Sequence, residues 1–334
     1  MNKSMWMICP IALAFLMLVG CDNSSSTSSS SATQPTTGGT SSSGKKLTVG
    51  FAQTGAESGW RTANTDSIKS EAEKRGIELK FADAQQKQEN QVKAMRNFIA
   101  QKVDVIMVAP IVKTGWTPVF KEAKAAGIPV IVSDRRPDVT DDLYVTFIGS
   151  DFVEEGRRAG KWLAENCDGK AQIAELQGTV GADPAIDRKK GFEEEIAKHP
   201  GMKIIKSQSG NFTRAEGKQV MEAFLKSPEG SQITALFAHN DDMALGAIQA
   251  IEEAGKQPGK DILIVSIDGV RGAFEAMSQG KLNCTVECNP LLGPALFDAV
   301  EAVRAGKPLP KRIVSEEGVF TQKEAAAALP NRKY

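Results

Sequence analysis

The chain has 334 residues, in which 41 lysines and arginines are balanced by 41 aspartates and glutamates. This balance, with no basic face or block of like charges, argues against a nucleic-acid partner. About 290 residues follow the N-terminal leader, which is more than one hydrophobic core usually holds and predicts two lobes.

The first twenty residues are typical of an export signal. Lys3 supplies a short positive region, and the apolar residues 5–19 are too few to span a membrane. This stretch ends in Leu18-Val19-Gly20-Cys21, which resembles the lipobox of bacterial lipoproteins. We therefore expect a signal peptide over residues 1–20, a lipid anchor on Cys21, and a location in the periplasm or at the cell surface.

A tether is predicted over residues 21–45, because residues 23–44 are nearly all Ser, Thr and Gly and cannot form a packed core. Beyond the leader, the only cysteines are Cys167, Cys284 and Cys288. Cys284 and Cys288 are four apart in a predicted strand, about 13 Å from each other, which is too far for a disulfide. No metal or cofactor is expected, with structural zinc as a weak alternative.

Strands and helices alternate in the first half of the body. The hydrophobic pattern predicts strands over residues 47–53, 78–82, 105–109, 130–132 and 144–148, and helices over residues 61–75, 90–101 and 116–126. Gly76 is placed to end the first helix. This alternation predicts a parallel sheet wrapped by helices.

The same rhythm begins again after residue 151. Strands are predicted over residues 172–177, 203–209, 235–238 and 262–267, and helices over residues 154–165, 186–198, 215–225 and 243–254. Two successive α/β sets indicate two similar lobes joined by short hinge segments. A ligand is then expected in the cleft between them.

The run from Ile128 to Arg136 is a short buried strand that continues into an acid and two arginines. Ligands of open α/β sheets bind beyond the carboxyl ends of such strands, so Asp134 and Arg135 are candidate ligand contacts. A purely structural ion pair is the alternative. Arg136, at the next alternation and before a proline, is expected to face away from the site.

Other predicted strand ends also carry polar and aromatic side chains. Glu57, Trp60 and Arg61 follow the first strand, and in the second half the candidates are Arg188, Phe212, Asn240, Asp268 and Glu287. These residues also have purely structural alternatives: Trp60 and Phe212 as core residues, Arg188 in a surface ion pair, and Asp268 in a turn. The neighbouring Asp241 is a good helix N-cap.

Together these residues suit a sugar. Carboxylates accept hydrogen bonds from pairs of hydroxyls, arginine and asparagine donate to sugar oxygens, and aromatic rings stack on the C–H faces. Hydrogen bonds to charged groups contribute about 1.5–3 kcal/mol each, and an unmatched buried partner costs a comparable amount, so such a site is selective.

Several segments resemble the periplasmic sugar-binding proteins of ABC transporters. They are Gly55–Arg61, Gln85–Gln91, Ser133–Arg135, Leu176–Gly181 with Ile186–Phe192, and Ala238–Met243. The resemblance covers the chain from Leu47 onward. Because Ser-Gly-Trp-Arg and Gln-Gly-Thr-Val-Gly are not general features of the family, it points to the galactofuranose-binding members.

The resemblance implies an α/β fold of two Rossmann-like lobes, a three-segment hinge and closure around one monosaccharide. The expected N-terminal lobe comprises residues 46–151 and about 289–315, and the C-terminal lobe residues 152–288 and about 316–334. By motif, Trp60, Arg61, Asp134 and Arg135 bind the sugar on the first lobe with Glu57 as a companion, and Arg188, Phe212, Asn240 and Asp268 bind it on the second. Glu287 stands where ribose binders have a glutamine.

The leading hypothesis is therefore a monomeric, lipid-anchored binding protein that delivers galactofuranose or a similar sugar to an ABC permease. Arabinose, ribose, other galactose forms and inositol are competing ligands, and a sensor that presents its sugar to a membrane kinase is the alternative function. A transcription regulator of the same fold would need a DNA-binding headpiece where this chain has its leader. Catalysis is not expected, since the nucleophile-elbow, phosphate-loop and dinucleotide motifs are missing from the sequence.

Overall fold

Two six-stranded sheets with their helices form the two lobes of the protein. The computed structural model describes residues 46–334, so the predicted signal peptide, Cys21 and the tether lie outside the described residues. Among residues 46–334, none of the helices combines the length and the apolar character needed to cross a bilayer.

The first half alternates strands and helices, as predicted. Its elements are β1 (Thr48–Gln53), α1 (Gly59–Lys74), β2 (Glu78–Asp83), α2 (Gln88–Ala100), β3 (Val105–Val108), α3 (Thr117–Ala125), β4 (Val130–Ser133) and β5 (Thr146–Gly149). Every residue of β3, β4 and β5 is buried, as expected for strands covered on both faces.

The second half repeats this order and ends in short elements that the hydrophobic pattern had not indicated. Its elements are α4 (Phe152–Asn166), β6 (Lys170–Gln177), α5 (Asp183–Ile196), β7 (Gly201–Ser209), α6 (Arg214–Lys226), β8 (Ala235–Ala238), α7 (Asp241–Glu253), β9 (Leu263–Asp268), α8 (Arg271–Ser278), β10 (Cys284–Glu287), α9 (Gly293–Arg304), β11 (Arg312–Val314), β12 (Val319–Thr321) and α10 (Gln322–Ala328). Single 3-10 turns lie at Asp141–Leu143, Gly230–Gln232 and Leu329–Asn331.

The strand order confirms the predicted fold class. One sheet has the order β11-β5-β4-β3-β1-β2 and is entirely parallel, and the other has the order β12-β10-β9-β8-β6-β7, with only β10 and β12 antiparallel. The chain passes between the sheets after β5, after β10, and between β11 and β12. These three passages make up the hinge, while the residue at which each lobe begins and ends stays a prediction.

Two glycines let α4 and α5 of the second lobe pack backbone against backbone. A Cβ on Gly191 of α5 would lie 1.9 Å from the carbonyl oxygen of Val153, and a Cβ on Gly156 of α4 would lie 2.1 Å from that of Arg188. Only glycine fits at either position. The close approach brings the first turns of the two helices together at the edge of the interlobe cleft.

Replacing Gly191 by alanine is expected to destabilise the second lobe by about 1–3 kcal/mol, because the added methyl group must push the helices apart. The measurement is the urea midpoint. Gly272→Ala in α8 is the matched control, since its Cβ would meet only the ends of two flexible side chains, Leu245 at 3.0 Å and Arg214 at 4.0 Å, and alanine favours the helix. Equal midpoints for Gly191→Ala and the wild type would show that the packing is not as tight as described.

Candidate functional site

A cavity lies between the lobes, at the carboxyl ends of the parallel strands, with about 290 Å³ of empty space that includes its opening to solvent. Nine of the ten predicted ligand-binding residues line it: Glu57, Trp60, Arg61, Asp134, Arg135, Arg188, Phe212, Asn240 and Asp268. Ser58, Phe152, Pro184 and Cys288 complete the lining. The strand ends of both sheets therefore converge on one polar cleft.

Arg61 is the centre of the polar network on the first lobe. The α1 helix begins at Gly59 and its N-cap Ser58 accepts a hydrogen bond from the Arg61 backbone N, which fixes Arg61 in the first turn. Its Nη2 donates to Asp134 Oδ2 at 2.6 Å and its Nε to Glu57 Oε1 at 3.1 Å. All three side chains are almost fully buried, so each charge depends on its partner.

Arg135 closes this network and keeps one donor free. Its Nη2 donates to Glu57 Oε1 at 3.3 Å and its Nη1 to the Ile111 carbonyl. Burial would raise the pKa of Glu57, but the charges of Arg61 and Arg135 outweigh burial and lower it. The Nε of Arg135 is buried and makes no hydrogen bond with the described residues, although Asp134 Oδ2 lies 3.7 Å away. This donor can therefore bind a ligand oxygen.

Arg188 organises the second lobe. Its Nε donates to Glu155 Oε2 at 2.7 Å, its Nη1 to the His239 carbonyl at 2.6 Å, and its Nη2 lies 3.5 Å from Asp268 Oδ1. Burial would lower the pKa of Arg188, but the nearby acids, Glu155 first, outweigh burial and raise it. Arg188 therefore stays charged and holds the acids around it.

Asp268 differs from the acids of the first lobe. Burial raises its pKa well above the usual range, although Arg188 opposes the change. Its backbone has φ of 129°, a conformation that is uncommon outside glycine. The raised pKa favours a protonated carboxyl, which can donate as well as accept a hydrogen bond from a hydroxyl ligand.

Aromatic rings form the apolar part of the cavity wall. An arginine guanidinium lies over each ring. The distance from the arginine Cζ to the ring centroid is 4.6 Å for Arg61 and Trp60, 5.2 Å for Arg135 and Phe212, and 5.1 Å for Arg188 and Phe152. The Trp60 indole Nε1 donates to the Cys288 carbonyl at 2.6 Å. Its single N–H is thus occupied, so Trp60 offers a ligand its ring rather than a donor.

Asn240 has a double role that differs from the sequence interpretation. Its side chain caps α7 by accepting from the Met243 backbone N, and its Nδ2 donates to the Phe212 carbonyl at 3.1 Å. One amide hydrogen remains for a ligand.

The prediction that Asp241 caps this helix was wrong. Asp241 is buried and accepts hydrogen bonds from Ser266, Thr285 and two backbone N–H groups, because it braces β9 and β10.

Glu287 lies outside the cavity lining, and Cys288 stands there instead. Glu287 Oε1 accepts from Arg332 Nη1 at 2.8 Å and from the Tyr334 hydroxyl at 2.9 Å, so its carboxylate braces the C-terminus. Successive side chains of an extended segment point to opposite sides, and an error of one position exchanges the two. We therefore correct the proposed shell by removing Glu287.

Sequence reasoning missed Glu155, which does not line the cavity but accepts a hydrogen bond from Arg188, which does. It lies in the first turn of α4 and looks like any acidic residue at a helix N-terminus. Its burial depends on the close packing of α4 against α5, which Gly156 and Gly191 allow and which involves residues far apart in the sequence. The pairing of Glu155 with Arg188 therefore had no local signal in the sequence.

A metal site has little support in this geometry. Among residues 46–334, ligand atoms of Glu155, Cys288 and Glu317 lie within 4.8 Å of one another. However, Glu155 is held by Arg188, burial raises the pKa of the Cys288 thiol, and burial with the nearby Glu155 charge raises the pKa of Glu317 to about 8. The thiol and the Glu317 carboxyl therefore favour their protonated forms, which are poor metal ligands.

Comparison with known proteins places this cleft in a family. Residues 49–308 match the family described as "Periplasmic binding protein domain". The chain is 56% identical over 270 residues to the galactofuranose-binding protein YtfQ of Escherichia coli K12, covering 80% of this chain and 85% of that protein.

Two solved structures of sugar-bound proteins are also similar to the chain. One is the periplasmic binding protein of the arabinose ABC transporter from Shewanella sp. ANA-3, bound to α- and β-L-arabinofuranose, with 57% identity and a TM-score of 0.84 over 86% of this chain and 96% of that one. The other is a Mycobacterium smegmatis protein in complex with β-D-fucofuranose, with 59% identity and a TM-score of 0.84 over 86% of this chain and 95% of that one. The chain thus belongs to the periplasmic binding protein family, among relatives that are non-enzymatic sugar-binding components of ABC transporters.

Proposed function

We propose that the protein is a lipid-anchored, extracytoplasmic binding protein that closes around a furanose sugar and delivers it to an ABC import permease. The observation that carries the proposal is the convergence of nine predicted residues from both lobes on one cavity. Galactofuranose and arabinofuranose are the favoured ligands, because the relatives named above bind these sugars or the related fucofuranose.

The polar groups divide the binding work between the lobes. Arg61 and Asp134 present a donor fork and an acceptor from the first lobe, with Arg135 Nε as a further donor. Arg188 and Asp268 face them from the second lobe. A sugar hydroxyl both donates and accepts, so it can bridge an arginine of one lobe and a carboxyl of the other.

The aromatic groups restrict what fits. Phe212 packs directly on the backbone of Gly178, where a Cβ would lie 1.9 Å from the ring atom Cζ. The ring therefore cannot retreat from the cavity. A rigid wall of this kind favours one ring shape and disfavours a bulkier one, since overfilling a packed site is costly.

Titration calorimetry tests the ligand class. We expect heat on addition of L-arabinose or D-galactose, and less or none with ribose, fructose or myo-inositol. With D-galactose labelled with ¹³C at the anomeric carbon, the signal of the bound sugar reports its ring form, and we expect a furanose. No binding to any sugar of the panel would overturn the proposal, and a bound pyranose would overturn the furanose assignment.

The lipid anchor has its own test in the full-length chain. We expect the N-terminal peptide of the exported protein to begin with an acylated Cys21 by mass spectrometry, and the protein to sediment with membranes. Cys21→Ala should release it, whereas Cys167→Ala, which removes a thiol from the folded body, should leave it bound. An unmodified Cys21 in the mature protein would contradict the anchor.

A further inference from the structure

Two buried carboxylates of the second lobe reach across the cleft without lining the cavity. They are Asp183, at the start of α5 and 3% exposed, and Asp242, in the first turn of α7 and 6% exposed. Neither aspartate lines the cavity, but each contact lies next to a residue that does. Pro184 follows Asp183 in the chain, and Ser58 precedes Gly59, the partner of Asp242.

Asp242 joins its own lobe to the start of α1. Its Oδ1 accepts from Arg214 at 2.9 Å (Nη2) and 3.2 Å (Nε), within the second lobe. Its Oδ2 accepts from the backbone N of Gly59, on the first lobe, at 2.7 Å. Gly59 is the first residue of α1, so its N–H has no acceptor within the helix and lies at the positive end of the helix dipole.

Asp183 makes the corresponding contact at another place along the cleft. Its Oδ1 accepts from Lys113 Nζ, and its Oδ2 accepts from the backbone N of Arg136 at 3.0 Å. Both donors belong to the first lobe. The Lys113 backbone N also donates to the Gly181 carbonyl at 2.9 Å, which adds a main-chain link between the lobes.

We propose that Asp183 and Asp242 are positioning residues that set the balance between the open and closed protein, and so scale its affinity for every sugar by the same factor. When the lobes separate, both carboxylates lose their partners on the first lobe, whereas Arg214 stays with Asp242. The apparent dissociation constant of a closing protein is the intrinsic one divided by the closed fraction. Because neither side chain reaches the cavity, the preference among sugars should not depend on them.

The test replaces each aspartate by alanine, singly and together. Spin labels at exposed positions 87 and 215, which follow the carboxyl ends of β2 and β7, report the distance across the cleft. The labels are attached to unnatural amino acids, so the native cysteines need not be replaced. We expect each substitution to raise the dissociation constants for L-arabinose and D-galactose roughly tenfold, and the double variant about a hundredfold if the contacts act independently. The ratio of the two constants should stay that of the wild type, and the closed distance should lose population.

Glu193→Ala in α5 and Glu253→Ala in α7 are matched controls. Each removes an acid from the same helix, but their partners, Lys189 and Lys218, lie within the second lobe. Melting temperatures show that all variants are folded. A double variant with wild-type affinity and distances would overturn the proposal, and a changed ratio between sugars would place these residues in the ligand shell instead.

The affinity measurement rests on the proposed sugar-binding function, but the distance measurement does not. If neither sugar binds to the wild type, the proposed function fails, and the sugar-free distances decide the role of the two aspartates alone. Equal distance distributions for wild type and double variant would then overturn it.

Discussion

Replacing Asp134 by asparagine is expected to weaken sugar binding at least about a hundredfold. Asp134 is the shortest partner of the buried Arg61, at 2.6 Å, and also lies 3.7 Å from Arg135. A hydrogen bond to a charged group contributes about 1.5–3 kcal/mol, so losing the bonds from the Asp134 carboxylate to a pair of sugar hydroxyls exceeds the 2.7 kcal/mol that corresponds to about a hundredfold in affinity. Two arginines would be left with Glu57 as their one nearby anion in this network.

Asparagine is the better substitution here, because Asp134 has φ of 62°. Asparagine tolerates this left-handed conformation, whereas alanine would add backbone strain to the loss of charge. Calorimetry with L-arabinose gives the affinity and a thermal melt shows that the variant is folded. Asp138→Asn, which changes an exposed acid of the same loop, should bind like the wild type. Unchanged affinity in Asp134→Asn would remove Asp134 from the site.

The sequence was most informative where burial and polarity change abruptly. The strand from Val130 to Ser133 is fully buried, and the charged residues directly after it line the cavity. A parallel sheet collects its strand ends at one edge, so a pattern of apolar runs ending in Asp, Arg or Asn is enough to predict a polar cleft. Arg136 is exposed and is not among the lining residues, in agreement with the expectation that it faces away from the site.

What the sequence could not show depends on contacts between distant segments. The strands β11 and β12 have three residues each, too short for a hydrophobic pattern, yet they complete the third passage between the lobes. Asp242 meets a backbone N–H of Gly59, which any residue would provide. Glu287 and Cys288 are adjacent, and only the three-dimensional structure shows that Cys288, and not Glu287, lines the cavity.

Replacing Arg188 by methionine is expected to abolish measurable binding and to destabilise the second lobe. Arg188 is the cation shared by Glu155 and Asp268, and it also donates to the His239 carbonyl. Methionine keeps much of the volume but leaves two buried acids and one carbonyl without their donor. We expect a loss of stability of about 3–5 kcal/mol at neutral pH, measured as a lower urea midpoint.

The pH dependence of this loss identifies its cause. Burial raises the pKa of Glu155 and of Asp268 in the folded protein, so the folded state keeps protons that the unfolded chain releases at about pH 4. Stability therefore falls as the pH rises above the unfolded values. Because Arg188 lowers both pKa values, its removal raises them further, and the variant should lose more stability between pH 5 and pH 8 than the wild type.

Lys190→Met is the matched control, since it removes an exposed cation from the same helix, two residues away. Asp241, with a pKa raised to about 6, titrates in all three proteins and cancels in the comparison. The charge of Arg188 also lowers the pKa of Glu317 and of His239, so the difference between Arg188→Met and the wild type reports on Glu155, Asp268, Glu317 and His239 together. We expect Lys190→Met to follow the wild type at both pH values. If Arg188→Met loses the same stability at pH 5 as at pH 8, the defect is one of packing, and Arg188 does not lower the pKa values of these acids.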